Sequence, residues 1–217
     1  MVKAKICGIT NLADARTAIA AGADMLGFNF YRPSPRFIEP DLARQIIDAL
    51  RDGPDNASTR VLMVGVFVNE TSPDNLISVA RAAGVDAAQL HGDESPEFCR
   101  DVAQLWSDAF LIKVLRIDES FSPEQARAYN TNAIMLDAFH AELRGGTGKV
   151  IDWTIARRVR EITPCLFLAG GLSPENVAAA IKQVEPFAVD ACSSLESSPG
   201  IKNLERVNAF VAAVHSS

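Results

Sequence analysis

The chain has 217 residues, and 48% of them are hydrophobic, which is enough for one large core or two small ones. Its 21 Lys and Arg residues against 27 Asp and Glu residues give a net charge of −6. That balance argues against a nucleic acid or an anionic membrane as a partner, because the field of the whole protein would repel both. An anionic small molecule held by a few local donors stays compatible with it.

The four cysteines have no short paired spacing, so the sequence predicts neither a metal site nor a disulfide framework. Free thiols are typical of a reducing cytoplasm. The N-terminus lacks the apolar segment of a signal peptide, and no apolar run approaches the roughly 18 residues that span a bilayer. We therefore expect a soluble, cytoplasmic protein.

Apolar, β-prone runs alternate with amphipathic stretches along the whole chain. The predicted strands are 4–8, 25–30, 61–68, 87–90, 110–115, 133–137, 165–169 and 187–190. The predicted helices are 12–21, 41–51, 73–83, 96–105, 123–129, 152–161, 174–183 and 204–214. Thr10 or Asn11 can cap the first helix, Ser-Pro pairs begin four others, and Gly22 and Gly84 are helix stops.

Eight strands, each followed by a helix and with no break in composition, predict an α/β protein with a (β/α)8 TIM barrel, as a single domain over residues 1–217. A doubly wound open sheet is the alternative. It usually has fewer strands and a glycine-rich fingerprint after the first one, and Cys7-Gly8-Ile9-Thr10 is not that fingerprint.

In a (β/α)8 barrel the chemistry lies at the carboxyl ends of the strands, and the first candidate there is Cys7. A cysteine in an apolar strand is often a small core residue. With a side-chain period of two, however, Lys5 lies on the same face as Cys7, and a nearby cation favours the thiolate. Cys7 is therefore a candidate general base.

Asp137 ends the sixth predicted strand. It is either a solvated start of the next loop or, where partly desolvated at the barrel mouth, an acid able to donate a proton at neutral pH. The sequence leaves both interpretations open.

Three further side chains are candidates for binding an anionic substrate. Arg36, in a proline-stiffened loop, is either a surface residue or a bidentate partner of a substrate carboxylate, with Arg32 as a less constrained rival. His91 follows Gln89 on the same face and has at most a positioning role. Asp190 ends the strand that closes the barrel, so we expect it near Lys5 or Cys7, as an ion pair or facing a substrate hydroxyl.

Glycines and small polar residues follow the last three strands, where many barrels bind phosphate through backbone amides. Each group alone is also compatible with a tight turn. The candidate phosphate-binding residues are Gly146, Gly148, Gly170, Gly171, Cys192, Ser193 and Ser194.

Several motifs together resemble the phosphoribosylanthranilate isomerase family, in the right order and over nearly the whole chain. They are Lys5-Ile6-Cys7-Gly8-Ile9-Thr10, Phe28-Asn29-Phe30 with Ser34-Pro35-Arg36, Gln89-Leu90-His91-Gly92, Leu136-Asp137-Ala138-Phe139, Gly145-Gly146-Thr147-Gly148 with Asp152-Trp153, Leu168-Ala169-Gly170-Gly171-Leu172, and Ser198-Pro199-Gly200-Ile201-Lys202.

The resemblance implies an Amadori rearrangement in tryptophan biosynthesis, with no cofactor and with a small-molecule substrate. The aspartate matched by Asp137 would open the furanose ring, the cysteine matched by Cys7 would remove the C2′ proton, and the arginine matched by Arg36 would face the anthranilate carboxylate. One departure is the run Cys192-Ser193-Ser194, where the family commonly shows Ser-Ser-Gly. The lost glycine puts the phosphate contacts of that turn in question.

Two other interpretations remain. A sibling phosphate-binding barrel, such as the histidine-pathway ribonucleotide isomerase or indole-glycerol-phosphate synthase, is disfavoured because the first strand ends in Cys7 instead of Asp or Lys. A non-catalytic sensor of sugar phosphates is compatible with the fold alone. Barrels of this kind occur as monomers and as homodimers, and the sequence does not distinguish the two.

Overall fold

The computed structural model describes residues 1–53, 61–118, 120–137 and 153–217. Its strands are β1 (Lys3–Cys7), β2 (Met25–Asn29), β3 (Leu62–Phe67), β4 (Ala87–Leu90), β5 (Phe110–Arg116), β6 (Ala133–Asp137), β7 (Leu166–Ala169), β8 (Ala188–Ala191), β9 (Glu196–Ser198) and β10 (Ile201–Lys202). Its α-helices are α1 (Leu12–Ala21), α2 (Pro40–Arg51), α3 (Pro73–Ala83), α4 (Pro96–Leu105), α5 (Trp153–Ile162), α6 (Val177–Val184) and α7 (Leu204–His215).

Strands β1 to β8 pair in parallel with their sequence neighbours, and β8 pairs with β1, which closes the barrel. The predicted (β/α)8 architecture is confirmed, and an open doubly wound sheet is excluded. Parallel closure brings the carboxyl ends of all eight strands to one mouth, so residues far apart in sequence share one site.

Most of the predicted helix starts and stops are set by a capping side chain or by a glycine. The side chains of Asn11, Ser72 and Ser95 accept hydrogen bonds from the third residue beyond each of them. Gly22 and Gly84 end α1 and α3 with φ of 100° and 74°, a left-handed conformation that suits glycine. These helix starts and stops therefore depend on local sequence.

Two predicted helices differ from the structure. Residues 123–128 form a 3₁₀ helix instead of an α-helix, and its first residue, Pro123, follows a serine that makes no side-chain cap. Helix α6 begins at Val177, because Ser173 and Asn176 first form a hydrogen-bonded turn. The first residue of the helix predicted over 152–161 lies outside the described residues.

The barrel has two apolar layers. Its interior is filled by residues such as Met25, Val64, Ile112, Met135 and Phe167. A larger outer layer packs the strands against the helices. Along β1, Ala4 and Ile6 belong to the outer layer, so the alternation of a strand turns Lys5 and Cys7 inward, as predicted. In the part of the chain that is described, no helix is long and apolar enough to cross a membrane.

Lys113 is a buried lysine on the outer side of the barrel, between the strands and the helices. Lys113 Nζ contacts Glu94 Oε2 at 2.7 Å, and both side chains are 2% exposed. Glu94 also accepts hydrogen bonds from the backbone amides of Asn69 and Gly92. The pair thus fixes the loops that follow β3 and β4.

The substitution Lys113→Met is expected to lower the free energy of unfolding by about 3–5 kcal/mol, because it leaves the Glu94 carboxylate buried without its cation. Denaturant unfolding measures this loss. Arg100→Ala, which removes an exposed partner of Glu97 on α4, is the control and should change stability far less. Equal losses in the two variants would contradict the role given to the buried pair.

Candidate active site

A cavity of about 210 Å³ opens at the carboxyl mouth of the barrel. Every predicted site residue that the structure describes lines it, namely Cys7, Arg36, His91, Asp137, Gly170, Gly171, Asp190, Cys192, Ser193 and Ser194. The predicted phosphate-binding residues Gly146 and Gly148 lie outside the described residues. The structure thus brings the described candidates together around one cavity.

Lys5 lies one layer below the cavity and has no exposed surface. Its Nζ donates a hydrogen bond to Asp190 Oδ1 at 2.7 Å, so the expected contact between β1 and β8 is present as an ion pair. Burial acts to lower the pKa of Lys5, but Asp190 and Cys7 outweigh it and raise that pKa above its ordinary value. Lys5 is thus a permanent cation beneath the Cys7 sulfur.

The Cys7 thiol is more acidic than an ordinary cysteine. The neighbouring Cys192 thiol and the charges of Lys5 and Lys202 lower the pKa of Cys7 below its ordinary value, against the opposing effects of burial and Asp190. This shift favours the thiolate, which is the form able to accept a proton.

Gly27 makes room for this arrangement, and no pattern in the sequence had pointed to it. Gly27 is the β2 neighbour of Cys7. A methyl group on Gly27 would come within 2.8 Å of Cys7 Sγ, 3.1 Å of Cys7 Cα and 3.1 Å of Lys5 Nζ. A side chain at position 27 would therefore occupy the space that Cys7 and Lys5 now fill.

We expect Gly27→Ala to lower stability by about 1–3 kcal/mol through overpacking and to reduce turnover, because Cys7 and Lys5 must both move. Thermal unfolding and steady-state kinetics on the same preparation measure the two effects. Gly53→Ala serves as the matched control, since a methyl there meets neighbours at an ordinary 3.4 Å or more. A Gly27→Ala protein with normal turnover would show that the space beside Cys7 is not required.

Across the mouth, Asp137 ends β6 and belongs to a short chain of polar groups. His91 Nε2 lies 3.3 Å from Asp137 Oδ2, and Gln89 Nε2 lies 2.9 Å from His91 Nδ1. Within the described residues, the buried Gln89 Oε1 has no hydrogen-bond partner, and Gln89 also lines the cavity. This hydrogen-bonded series of side chains can therefore orient Asp137.

Arg36 lines the cavity on the β2 side, held by a residue that the sequence analysis did not identify. Its Nε and Nη2 donate to the Glu196 carboxylate at 2.7 to 3.1 Å. This bidentate contact raises the pKa of Arg36. Burial opposes ionisation of Glu196, but Arg36 and Lys202 hold the pKa of Glu196 below its usual range. Arg36 is therefore an oriented cation and not a mobile surface side chain.

Glu196 and Lys202 come from the hairpin of β9 and β10, which the sequence analysis did not predict. They are register partners, and Lys202 Nζ lies 3.0 Å from Glu196 Oε1. Glu196 is 160 residues from Arg36, so only the closure of the barrel brings them together. The turn at Pro199-Gly200 before Lys202 was the one local signal of a hairpin.

Arg32, the alternative partner for a substrate carboxylate, points away from the cavity. Its guanidinium lies 5.0 Å from the centre of the Phe37 ring and pairs with Glu39, and both charged side chains are exposed. Arg36 lines the cavity and Arg32 does not. The structure thus separates two arginines that the sequence left as alternatives.

The wall formed by the ends of β7 and β8 has the features of a backbone-built anion site. Gly170 and Gly171 have φ of 88° and 72°, values that other residues rarely adopt. Ser193 and Ser194 lie in a 3₁₀ turn, and the Ser194 hydroxyl donates to the Leu172 carbonyl, which ties the two loops together. Among the described residues, no cluster of acidic, histidine or cysteine side chains could hold a metal ion.

The fold and the cavity together define a (β/α)8 barrel enzyme that acts on a small polar molecule. A family model for N-(5′-phosphoribosyl)anthranilate (PRA) isomerase matches residues 4–213. The chain belongs to this family, as the sequence motifs implied.

Curated relatives of the same family match this chain over its full length. An N-(5′-phosphoribosyl)anthranilate isomerase from Rubrobacter xylanophilus is 45% identical over 217 residues, covering 100% of both chains. One from Trichlorobacter lovleyi is 43% identical over 211 residues, covering 97% of each.

Solved structures agree as well. The phosphoribosyl anthranilate isomerase from Thermotoga maritima is 40% identical with a TM-score of 0.87, covering 100% of both chains. A phosphoribosyl anthranilate isomerase in complex with reduced 1-(o-carboxyphenylamino)-1-deoxyribulose 5-phosphate is 38% identical, with a TM-score of 0.85 and the same coverage.

Proposed function

We propose that this chain catalyses the isomerisation of N-(5′-phosphoribosyl)anthranilate to 1-(2-carboxyphenylamino)-1-deoxyribulose 5-phosphate, an aldose–ketose isomerisation of tryptophan biosynthesis. The observation that carries the proposal is that Cys7 and Asp137 line one cavity of about 210 Å³. The full-length family match supports the same reaction.

Ring opening comes first. A furanose ring oxygen is a poor leaving group until it is protonated, so the reaction needs an acid. In our proposal Asp137 gives that proton to the ring oxygen, the C1′–O bond breaks, and the nitrogen lone pair forms the C1′=N bond of a Schiff base. His91, 3.3 Å from Asp137, positions the carboxyl group.

Proton removal follows. The protonated Schiff base acidifies the C2′–H bond, so a modest base is sufficient. The Cys7 thiolate takes this proton, and the electron pair of the C–H bond forms the enolamine, which tautomerises to the ketone. No step calls for a cofactor. A cysteine of ordinary pKa, about 8.5, would be mostly protonated at neutral pH, and the lowered pKa of Cys7 removes that obstacle.

The remaining wall binds the substrate in our proposal. Arg36, whose Nε and Nη2 are held by Glu196, would offer Nη1 to the anthranilate carboxylate. His91 and Asp190, which line the cavity, would contact the sugar hydroxyls. The phosphate would lie against Gly146, Gly148, Gly170, Gly171, Cys192, Ser193 and Ser194.

The enzyme would work as a single domain, as a monomer or a homodimer, in the cytoplasm, where its thiols stay reduced. A relative from Thermotoga maritima, 37% identical, is described as dimeric. That relative supports a dimer without excluding a monomer for this chain.

Turnover of purified protein with N-(5′-phosphoribosyl)anthranilate, followed by formation of the product, tests the proposal. The histidine-pathway ribonucleotide isomerase substrate is the comparison and should give no comparable rate. Binding of the first substrate in calorimetry without turnover would contradict the proposal and support a sensor.

A further inference from the structure

The hairpin of β9 and β10 brings a buried carboxylate to the β2 side of the cavity. The side chain of Glu196 is 4% exposed, and that of its partner across the hairpin, Lys202, has no exposed surface. A carboxylate at this depth is stable only when it is paired and hydrogen-bonded. Lys202 Nζ lies 3.0 Å from Glu196 Oε1, and the backbone amide of Gly200 donates to the same oxygen at 3.3 Å. The hairpin thus holds the Glu196 carboxylate with its own residues.

The hairpin itself is tied to the start of α1 at two points. The Thr10 hydroxyl, just before α1, donates to the Gly200 carbonyl at 2.5 Å. The Lys202 backbone amide donates to Asp14 Oδ2, in the first turn of α1, at 2.8 Å. Glu196 therefore keeps a fixed place relative to the cavity and can serve as an anchor for another side chain.

Arg36 contacts this anchor along one edge of its guanidinium. Its Nε lies 2.9 Å from Glu196 Oε1 and its Nη2 lies 2.7 Å from Glu196 Oε2, so the contact does not use Nη1. The Arg36 side chain is 22% exposed, against 4% for Glu196. Of the two, Arg36 is the one that lines the cavity. An effect of Glu196 on a bound molecule therefore passes through Arg36.

Two cations share the Glu196 carboxylate. Arg36 Nε and Lys202 Nζ both contact Oε1, and Arg36 Nη2 contacts Oε2. Within the described ranges, neither cation has an ion pair with any other carboxylate. The cluster of three side chains therefore has one positive charge more than it balances itself. A carboxylate on a ligand would balance that charge, whereas an uncharged ring would not.

We propose that Glu196 is a positioning residue that gives the enzyme its preference for an aryl group bearing a carboxylate, because it holds the Arg36 guanidinium with Nη1 available to that group. This inference rests on the proposed role of Arg36. The ligand class is an aromatic amine adduct of a sugar phosphate with a carboxylate on its ring. Glu196 itself exchanges no proton with the substrate.

Glu196 has two opposing effects on the affinity of Arg36 for a carboxylate. An arginine without a partner is flexible, and ordering it on binding lowers affinity, whereas Glu196 orders Arg36 before the ligand arrives. Glu196 also places a negative charge near the ligand carboxylate, which repels it. Lys202, at 3.0 Å from Glu196 Oε1, offsets that repulsion. Orientation therefore outweighs repulsion, and the two effects predict opposite signs for the variant Glu196→Gln.

Calorimetry with two matched ligands tests the inference without turnover. One ligand is reduced 1-(o-carboxyphenylamino)-1-deoxyribulose 5-phosphate, and the other has hydrogen in place of the ring carboxylate. The ratio of their Kd values measures the carboxylate preference. Glu196→Gln should lower this preference about 3- to 10-fold, which is the cost of ordering one long side chain on binding. With the anthranilate substrate the loss should fall on KM more than on kcat, because the carboxylate contact is common to the ground and transition states.

Two further variants show whether Glu196 acts through Arg36. Glu39→Gln is the matched control, because Glu39 pairs with Arg32 and both side chains are exposed. It should leave the carboxylate preference unchanged. Arg36→Ala should remove the preference, and Glu196→Gln added to Arg36→Ala should have no further effect on it, since the two residues act as one unit. A purely structural role of Glu196 would not produce this dependence.

The outcomes separate this inference from the proposed function. A carboxylate preference that is unchanged or increased in Glu196→Gln, with turnover of the anthranilate substrate by the wild type, overturns the inference and leaves the function standing. A wild type without the preference, or a preference that survives Arg36→Ala, overturns the proposed role of Arg36 instead. Should Glu196→Gln not fold, Glu196→Asp keeps the charge beside Lys202 and withdraws it from Arg36 by one methylene. Its preference should fall as well, and an unchanged value would overturn the inference.

Discussion

Asp137→Asn is expected to lower kcat by about 10²–10⁴-fold, the range typical of a lost general acid. An amide cannot protonate the furanose ring oxygen, so the Schiff base does not form. Steady-state kinetics measure the loss, and the barrel should stay folded because Asp137 ends a strand at the mouth and lies outside both apolar layers.

Asp118→Asn is the matched control, since Asp118 is an exposed carboxylate just beyond the neighbouring strand β5 and lies outside the cavity wall. It should turn over at the wild-type rate. An Asp137→Asn enzyme with normal kcat would remove the acid from the mechanism, whatever its effect on KM.

Cys7→Ala should cause a loss of similar size, about 10²–10⁴-fold in kcat, because the C2′ proton then has no base. Cys7→Ser should be nearly as slow, since an alcohol does not ionise near neutral pH. A substrate deuterated at C2′ reports on this step, because the label is lost only when the C2′ proton is removed. Wild-type enzyme transfers that deuterium to the thiol and on to solvent, whereas Cys7→Ala retains it in unreacted substrate.

Cys165→Ala is the control for this variant, because Cys165 lies outside the cavity wall and packs against the barrel interior. It should lose deuterium at the wild-type rate. A normal kcat in Cys7→Ala would show that another group in the cavity acts as the base.

The sequence predicted the barrel well because each βα unit carries its own signals. Strand period, Ser or Asn caps and stop glycines act within a few residues, and the structure uses most of them where expected. The exception at Pro123 is instructive. A proline at the first helical position is compatible with a 3₁₀ helix as well as an α-helix, and the sequence alone did not distinguish them.

The sequence predicted only those contacts of the candidate site that follow from the order of the strands around the barrel. Closure of the barrel implied that Asp190 approaches Lys5, and the ion pair at 2.7 Å confirms it. The bidentate contact of Arg36 with Glu196 was not predictable, because it depends on a hairpin after β8 that has little local signal.

The central claim is that Cys7 and Asp137 contact one pentose chain from two sides. A crystal structure of this protein with reduced 1-(o-carboxyphenylamino)-1-deoxyribulose 5-phosphate tests it most directly. We predict Cys7 Sγ and an Asp137 carboxyl oxygen each within about 3–3.5 Å of the sugar-derived atoms, with the phosphate against Gly170 and Gly171. A ligand that reaches only one of the two groups, or a Cys7 sulfur turned away from the bound chain, would contradict the account.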